Sequence, residues 1–307
     1  MQSTPGCDKL RLMTLRWRSH RSSLRKLAGT LNAILVLGAC LTATVAAQWV
    51  DVVTRGVPRT PLGTPNYGAP TPKMADGKTP DLSGIWEPAT TPCDEERGFG
   101  KAYGCNEVPF GFPIGSGNIN QGGKDKLPLQ PWAEALSKQR TDDLSKDNPY
   151  ARCLPPPGPR AWAQYLQKMI QTQDSVVILD EYMAQYRQIF LDGRPLPEDP
   201  QPTFKGYSVG KWEGETLVVE TLGFKDNQWL DGQGRPLTDQ ARTIERIRRV
   251  NYGNLEVEIT VDDPKAYTKP WTVTRNLFLV INTELLDYIC NENERDLKHL
   301  VGKGDVK

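Results

Sequence analysis

The stretch "GYSVGKWEGETLVVETLGF", residues 206–224, decides the fold class of this chain. Two runs rich in Val, Thr, Tyr and Trp flank Glu213-Gly214, and such runs around a short glycine turn predict a β-hairpin. The second run places Leu217 and Val219 on one face and Val218 on the other. Because it is apolar on both faces, we expect this strand to lie in the packed centre of a sheet.

The two-residue period of this hairpin continues along the C-terminal half of the chain. It predicts strands at 175–182, 184–193, 205–212, 215–224, 241–250, 254–263, 271–281 and 285–290, and "GIW" at 84–86 adds a first strand. The cleanest alternation is "LEVEITV" at 255–261. We therefore predict a mainly β fold, an antiparallel meander of about eight to nine strands that closes into a lipocalin-like barrel or curls strongly.

Less regular segments precede the strands. Pro131 suits the first position of a helix over 131–146. A second short helix is predicted over 161–172, where apolar residues recur at helical spacing: Trp162, Leu166, Met169 and Ile170. "CLPPPGPR" at 153–160 favours a polyproline-like conformation. Residues 93–130 form a glycine-rich loop region without the order of a phosphate-binding loop.

The N-terminus has the features of an export signal. Seven basic residues precede the apolar stretch 27–46, and Val45-Ala46-Ala47 supplies small residues for cleavage. We predict a signal peptide over 1–47 and a periplasmic or extracellular protein without an integral membrane segment after cleavage. Two alternatives stay open: a lipid anchor at Cys40, within the lipobox-like "LGAC", and a retained anchor of near-spanning length.

The predicted mature chain has two parts. Residues 48–80 are rich in Pro and Gly and predict an extended arm. Residues 81–307 predict a single β-rich domain, with a loop- and helix-rich part at 81–174 and the meander at 175–290. Removing 1–47 leaves 31 basic and 36 acidic residues, a net charge of −5, which argues against a nucleic-acid partner.

Four cysteines remain in the predicted mature chain, an even number that indicates disulfides in an oxidising compartment. Of the three connectivities, we favour Cys93–Cys105, which closes a short glycine-bearing loop, together with Cys153–Cys290. No pair has C-x-x-C spacing, and the loop 223–234 lacks the order of a calcium loop. We therefore predict no metal site, and no motif in the sequence indicates a cofactor.

Two resemblances follow from these motifs. Gly84-Ile85-Trp86 resembles the G-x-W of lipocalins, which implies that Trp86 closes one end of a barrel and packs against a basic residue of a late strand, here Arg275. The segments "DLSGIW", "YRQIFLDGR", "GKWEGETLVVET", "DDPKAYTKPW" and "CNEN" resemble a family of exported bacterial proteins that is abundant in soil bacteria and has no established activity. Members of that family often carry His where this chain has Tyr207.

The chain contains two histidines, His20 in the predicted leader and His299 near the C-terminus. This scarcity excludes a Ser-His-Asp triad, a Cys-His pair and a His-rich metal site. Acid–base chemistry would rest on carboxylates, with Glu245 and Asp226 as candidates and Arg187 as the partner of Glu245. The alternative for Glu245 is a structural ion pair, or a place on the wet face of its strand.

Aromatic residues at strand ends are the candidate ligand contacts: Tyr207, Trp229, Tyr267 and Trp271. Three functions are compatible with these features. The first is a barrel that binds a small, largely apolar molecule. The second is a hydrolase, lyase or isomerase on the same scaffold that works without histidine. The third is an envelope structural or interaction protein whose barrel is filled by side chains.

Overall fold

Among the residues described by the computed structural model (52–88, 126–163, 166–292, 295 and 299–305), nine strands close into a β-barrel. Around the barrel the order is β1-β11-β10-β9-β6-β5-β4-β3-β2, and β7 and β8 form a separate hairpin. The strands are β1 (Gly84–Pro88), β2 (Gln167–Gln171), β3 (Ser175–Asp180), β4 (Gln185–Phe190), β5 (Tyr207–Glu213), β6 (Thr216–Leu222), β7 (Gln228–Trp229), β8 (Pro236–Leu237), β9 (Arg242–Asn251), β10 (Asn254–Asp262) and β11 (Trp271–Val280).

The hairpin that decides the fold is β5–β6, with Trp212 opposite Leu217 and a turn at Glu213-Gly214. Strand β6 lies between β5 and β9. Its residues Leu217, Val218 and Val219 are all buried. The prediction of a central strand that is apolar on both faces is thereby confirmed, and it places the hairpin in the wall of a closed barrel.

The inner face of the barrel is set by strict alternation. In β10, Leu255, Val257, Ile259 and Val261 are almost fully buried, whereas the residues between them are more exposed. They belong to one hydrophobic core cluster with side chains from the neighbouring strands. Since successive side chains of a strand point to opposite faces, these four define which face of each paired strand is inward.

One strand pair departs from the antiparallel meander. Strands β4 and β5 pair in parallel, with Ile189 opposite Ser208 and Phe190 opposite Val209, so residues 191–206 connect them without a hairpin. The other neighbouring pairs in the barrel are antiparallel. The connections 191–206 and 223–241, the second of which carries the β7–β8 hairpin, are long, and such connections are where a site can form.

Helix α1 (Pro131–Asp142) confirms a helix that begins at Pro131, although it ends four residues earlier than predicted. The helix predicted over 161–172 is wrong. Helix α2 is the short Gly158–Ala161, and Gln167–Gln171 forms β2. The apolar spacing fits a helix by coincidence, while Gln167, Met169 and Gln171 alternate inward at period two and pair with β1 and β3.

The strand predicted over 285–290 is also wrong. This segment makes a single bridge, between Tyr288 and Tyr182, because β1 already pairs with β11 and closes the barrel. The segment is held by the disulfide Cys153–Cys290, as the sequence predicted. Cys93, Cys105, Cys40 and the predicted signal peptide lie outside the described residues.

Two details concern the N-terminal side of the domain. Residues 52–80 contain neither helix nor strand, and Tyr67 and Ala69 accept backbone hydrogen bonds from the β9–β10 turn. The guanidinium above the Trp86 ring, 4.9 Å from its centroid, is that of Arg249, in the position that the sequence assigned to Arg275.

Among the described helices, none has the length and apolar character needed to span a bilayer.

Candidate functional site

Glu245 and Arg187 meet on the inner face of the barrel, as the alternation of β9 and β4 predicts. Glu245 is 0% exposed and Arg187 5%. Arg187 donates from Nη1 to Glu245 Oε1 (3.0 Å) and from Nη2 to Oε2 (2.5 Å), the two-pronged geometry that suits a guanidinium and a carboxylate. The structure therefore brings the two predicted residues together in a fully buried ion pair.

Three more side chains complete this group, which we call the lumen network: Arg187, Glu245, Trp162, Ser208 and Thr221. Trp162 Nε1 donates to Glu245 Oε1 (2.7 Å). Arg187 also donates to the hydroxyl oxygens of Ser208 (3.0 Å) and Thr221 (2.8 Å). A buried charge is costly unless it is paired and hydrogen-bonded, and here both charges are.

One cleft among the described residues lies apart from the lumen network. It is a half-open cavity of about 220 Å³ between two chain segments. One side belongs to residues 149–162, which we call the strap, and consists of Pro149, Tyr150, Leu154, Pro155, Pro157 and Arg160. The facing side consists of Phe204, Lys225, Asp226, Asn227, Gln228 and Trp229. We call this cavity the strap cleft.

The strap is held at both ends. At its start, Cys153 adopts a left-handed backbone (φ 55°) and forms the disulfide with Cys290. At its end, Trp162 donates to Glu245 in the lumen network. Gly158 packs between them, since a Cβ there would lie 3.3 Å from the carbonyl oxygen of Lys205. These anchors fix the stretch of the strap that carries Arg160.

Arg160 is the most unusual residue of the strap cleft. Its side chain is 1% exposed, and its guanidinium lies 3.6 Å above the centroid of the Tyr150 ring. Within the described part of the chain, Nη1 donates to the carbonyl oxygen of Trp229 (3.2 Å), and Nε has no hydrogen-bond partner. Burial lowers the pKa of Arg160, against a smaller opposing effect of Tyr150 and Asp231.

Gln228 is the second incompletely bonded group at the cleft. It is buried, and its Nε2 donates to the carbonyl oxygen of Lys225 (3.1 Å). Its Oε1 is buried without a partner among the described residues. Arg160 and Gln228 both line the strap cleft. Buried polar atoms normally have a partner, so a ligand that reaches these two side chains from the cleft would supply the missing bonds.

The other candidate residues are distributed unevenly. Asp226 and Trp229 line the strap cleft, and Asp226 pairs with Lys265 at 3.2 Å. Tyr207 lies elsewhere, where it stacks on Phe190 and accepts a hydrogen bond from Arg194. Of the four candidate ligand contacts, Trp229 alone lines the cleft, and it does so together with the acid–base candidate Asp226.

Tyr267 and Trp271 form a separate buried pair. Their ring centroids are 5.4 Å apart, and the Tyr267 hydroxyl donates to the carbonyl oxygen of Pro236. Burial, followed by the negative charge of Asp231, raises the pKa of Tyr267. Asp231 is itself buried and pairs with Arg235 at 2.7 Å.

Arg160 is the functional candidate that sequence reasoning missed. It ends the stretch "CLPPPGPR", where the prolines predict conformation and give no sign that the arginine is buried. The available signal was its position between Cys153 and Trp162, since a disulfide and a large apolar side chain at the two ends indicate a segment fixed against the core.

A comparison of the chain with models of protein families finds no match, and neither does a comparison with curated proteins. Among the described residues, no three His, Cys, Asp or Glu side chains come together in a group that could hold a metal ion. The lumen network and the strap cleft are therefore the features from which a function can be inferred.

Proposed function

We propose that this chain is an exported β-barrel protein that binds a small, largely apolar molecule in the strap cleft. The observation that carries the proposal is the cleft lining, in which Tyr150, Phe204 and Trp229 surround a half-open cavity together with three prolines and Leu154. Ligand sites are concave and mostly apolar, with a few polar groups that fix orientation, and the strap cleft has this composition.

The cleft, rather than the lumen, is the better candidate for the ligand. The inner-face residues Leu217, Ile247 and Val257 are fully buried and belong to one continuous core cluster. The cavity of about 220 Å³ is smaller than the roughly 300–1,000 Å³ of sites for drug-sized molecules, so we expect a ligand with one ring or a short branched chain.

The lumen network is better explained as support for the strap than as a catalytic centre. Glu245 is fully buried, and both of its oxygens accept hydrogen bonds from Arg187 or Trp162. A substrate would have to displace one of these donors to reach the carboxylate. The network instead connects the barrel wall to Trp162 and so positions the segment that carries Arg160.

The proposal of export has its own support. The basic and apolar N-terminal stretches favour a cleaved leader, and the disulfide Cys153–Cys290 favours an oxidising compartment. The resemblance to exported bacterial proteins is part of the same proposal. Expression of the full chain in a bacterial host tests it: mass spectrometry of the periplasmic protein should give Gln48 as the first residue. A lipid-modified Cys40 or an uncleaved chain in the membrane would contradict this processing.

A panel of single-ring compounds tests binding: benzyl alcohol, benzylamine, benzoate and phenylphosphonate, measured by saturation-transfer difference NMR on the purified protein. Leu154 lines the cleft and is 41% exposed, so Leu154→Trp should fill the cavity while the fold is kept. Leu286→Trp is the matched control, because Leu286 is 42% exposed and does not line the cleft. We expect at least one compound to bind the wild type and Leu286→Trp but not Leu154→Trp.

If no compound distinguishes Leu154→Trp from Leu286→Trp, the strap cleft is not a binding site for molecules of this class. The third function considered above, a structural or interaction protein, would then be the better explanation.

A further inference from the structure

Arg160 carries a positive charge in a buried position. Replacing water around a guanidinium is costly unless a negative group or several hydrogen bonds compensate. Within the described part of the chain, Arg160 makes one hydrogen bond and no ion pair. Asp231 exerts an electrostatic attraction on it but forms its ion pair with Arg235. Among the residues that the structure describes, no carboxylate therefore forms an ion pair with this cation.

A comparison with Arg249 shows that the incomplete bonding of Arg160 is specific. Arg249 is also buried and has no ion pair with a carboxylate of the described residues, yet it donates to the carbonyl oxygens of Tyr252, Asp81 and Ser83. A structural arginine in this fold can thus be satisfied by backbone groups. Arg160 has one such carbonyl, that of Trp229, although its strap is anchored at both ends.

The charges around the cleft set the charge of the missing partner. Arg160 and Lys225 are the cations of the lining and Asp226 is its anion, so the lining carries a net charge of +1. Lys225 lies 4.5 Å from the centroid of the Phe204 ring, at the exposed rim. A single negative charge neutralises this lining, whereas a dianion would be opposed by Asp226.

The aromatic residues of the lining indicate what the uncharged part of the ligand is. Tyr150, Phe204 and Trp229 are the aromatic residues of the lining, and the Arg160 guanidinium stacks on the Tyr150 ring. A guanidinium binds planar carboxylates in its own plane. The unpartnered Oε1 of Gln228 adds an acceptor for a hydroxyl or amine on the same molecule.

We propose that the ligand of the strap cleft is a small aromatic monocarboxylate whose carboxylate pairs with Arg160 while its ring lies against Tyr150, Phe204 and Trp229. This inference rests on the proposed function, because it requires that the strap cleft binds a small molecule. It adds the charge and the chemical class of that molecule.

The test compares single-ring probes with different charges on the wild-type protein, so it does not depend on a variant that folds. Dissociation constants are measured by NMR titration for benzoate, for neutral benzyl alcohol and for the dianion phenylphosphonate. We expect benzoate to bind at least about tenfold more tightly than benzyl alcohol, since only benzoate offers Arg160 a charged acceptor. We also expect it to bind more tightly than phenylphosphonate.

Arg160→Met tests whether Arg160 causes the preference for benzoate over benzyl alcohol. This variant should lose the preference for benzoate and keep the binding of benzyl alcohol, whereas Lys225→Met at the rim should reduce benzoate binding by less. Equal wild-type affinities for benzoate and benzyl alcohol would overturn the anion proposal while the proposed function stands. Tighter binding of phenylphosphonate would overturn the monocarboxylate class. Failure of all probes would remove the proposed function itself.

Discussion

Arg187 and Arg160 are both almost fully buried, yet their surroundings differ in one respect. In the lumen network, Arg187 donates hydrogen bonds to one carboxylate and to two hydroxyls. Among the described residues, Arg160 donates to one carbonyl and stacks on one aromatic ring. The first arginine is satisfied by the chain and stabilises the fold, while the second is held in place with no ion-pair partner in the described part of the chain. A buried cation of the second kind is a reason to look for an anionic ligand.

The largest effect should come from breaking the satisfied pair. Glu245→Gln leaves Arg187 buried without a negative partner, and we expect it to lower the free energy of unfolding by about 3–5 kcal/mol. The measurement is urea unfolding followed by tryptophan fluorescence and circular dichroism. The control is Glu256→Gln, which removes a surface ion pair with Arg248 and should change stability by less than about 1 kcal/mol.

An effect of Glu245→Gln below about 1 kcal/mol would contradict a structural role for the pair. The double variant Arg187→Met, Glu245→Leu adds a second check. Because it removes both charges, it should be considerably more stable than Glu245→Gln alone. Such recovery would show that the unpaired charge, rather than a lost side chain, causes the destabilisation.

The disulfide tests whether the strap depends on its anchor. Replacing Cys153 and Cys290 by Ser opens a link between residues 137 positions apart, and we expect a loss of about 2–4 kcal/mol. Because the strap cleft lies beside this anchor, we expect the variant to bind the probes more weakly. We also expect the strap to become more mobile than the barrel. Amide hydrogen exchange would show this as a larger increase in exchange rate, relative to the wild type, in residues 149–162 than in β6, β9 and β10. Equal changes in both regions would contradict a local role for the disulfide.

The same contrast explains what the sequence could predict. The meeting of Glu245 and Arg187 follows from strand alternation, since each residue shares a face with apolar neighbours in its own strand. Alternation is local, so it can be recognised in ten residues. It also predicts the barrel, which needs little beyond a run of such strands with short turns.

The burial of Arg160 and the existence of β2 depend on distant parts of the chain. Arg160 is buried because the Cys153–Cys290 disulfide and Trp162 fix the strap, and neither contact is visible within "CLPPPGPR". Similarly, Gln167–Gln171 is a strand because β1 and β3 pair with it on both sides. Its apolar spacing alone favours a helix, and the non-local pairing overrides that preference.

A smaller effect should follow from the contact that connects the strap to the lumen network. Trp162→Phe removes the indole donor to Glu245, and we expect a loss of about 1.5–3 kcal/mol because the acceptor is charged. Trp271→Phe is the matched control, since Trp271 is also buried and its Nε1 has no partner among the described residues. The two variants should differ in thermal unfolding, with Trp271→Phe the more stable. The reverse order would show that the hydrogen bond to Glu245 does not hold the strap.

Replacing Arg160 should have the smallest effect on stability. The size of this effect tests most directly whether Arg160 and Arg187 have different roles. Arg160→Met removes one hydrogen bond and a ring contact but also removes a buried charge without a carboxylate partner. These contributions oppose each other, so we expect the free energy of unfolding without ligand to change by less than about 1 kcal/mol in either direction. Arg187→Met, the equivalent change in the lumen network, should cost about 3–5 kcal/mol because it leaves Glu245 unpaired. If urea unfolding gives the same loss for both variants, Arg160 is a structural residue like Arg187, and the reason to expect an anionic ligand disappears.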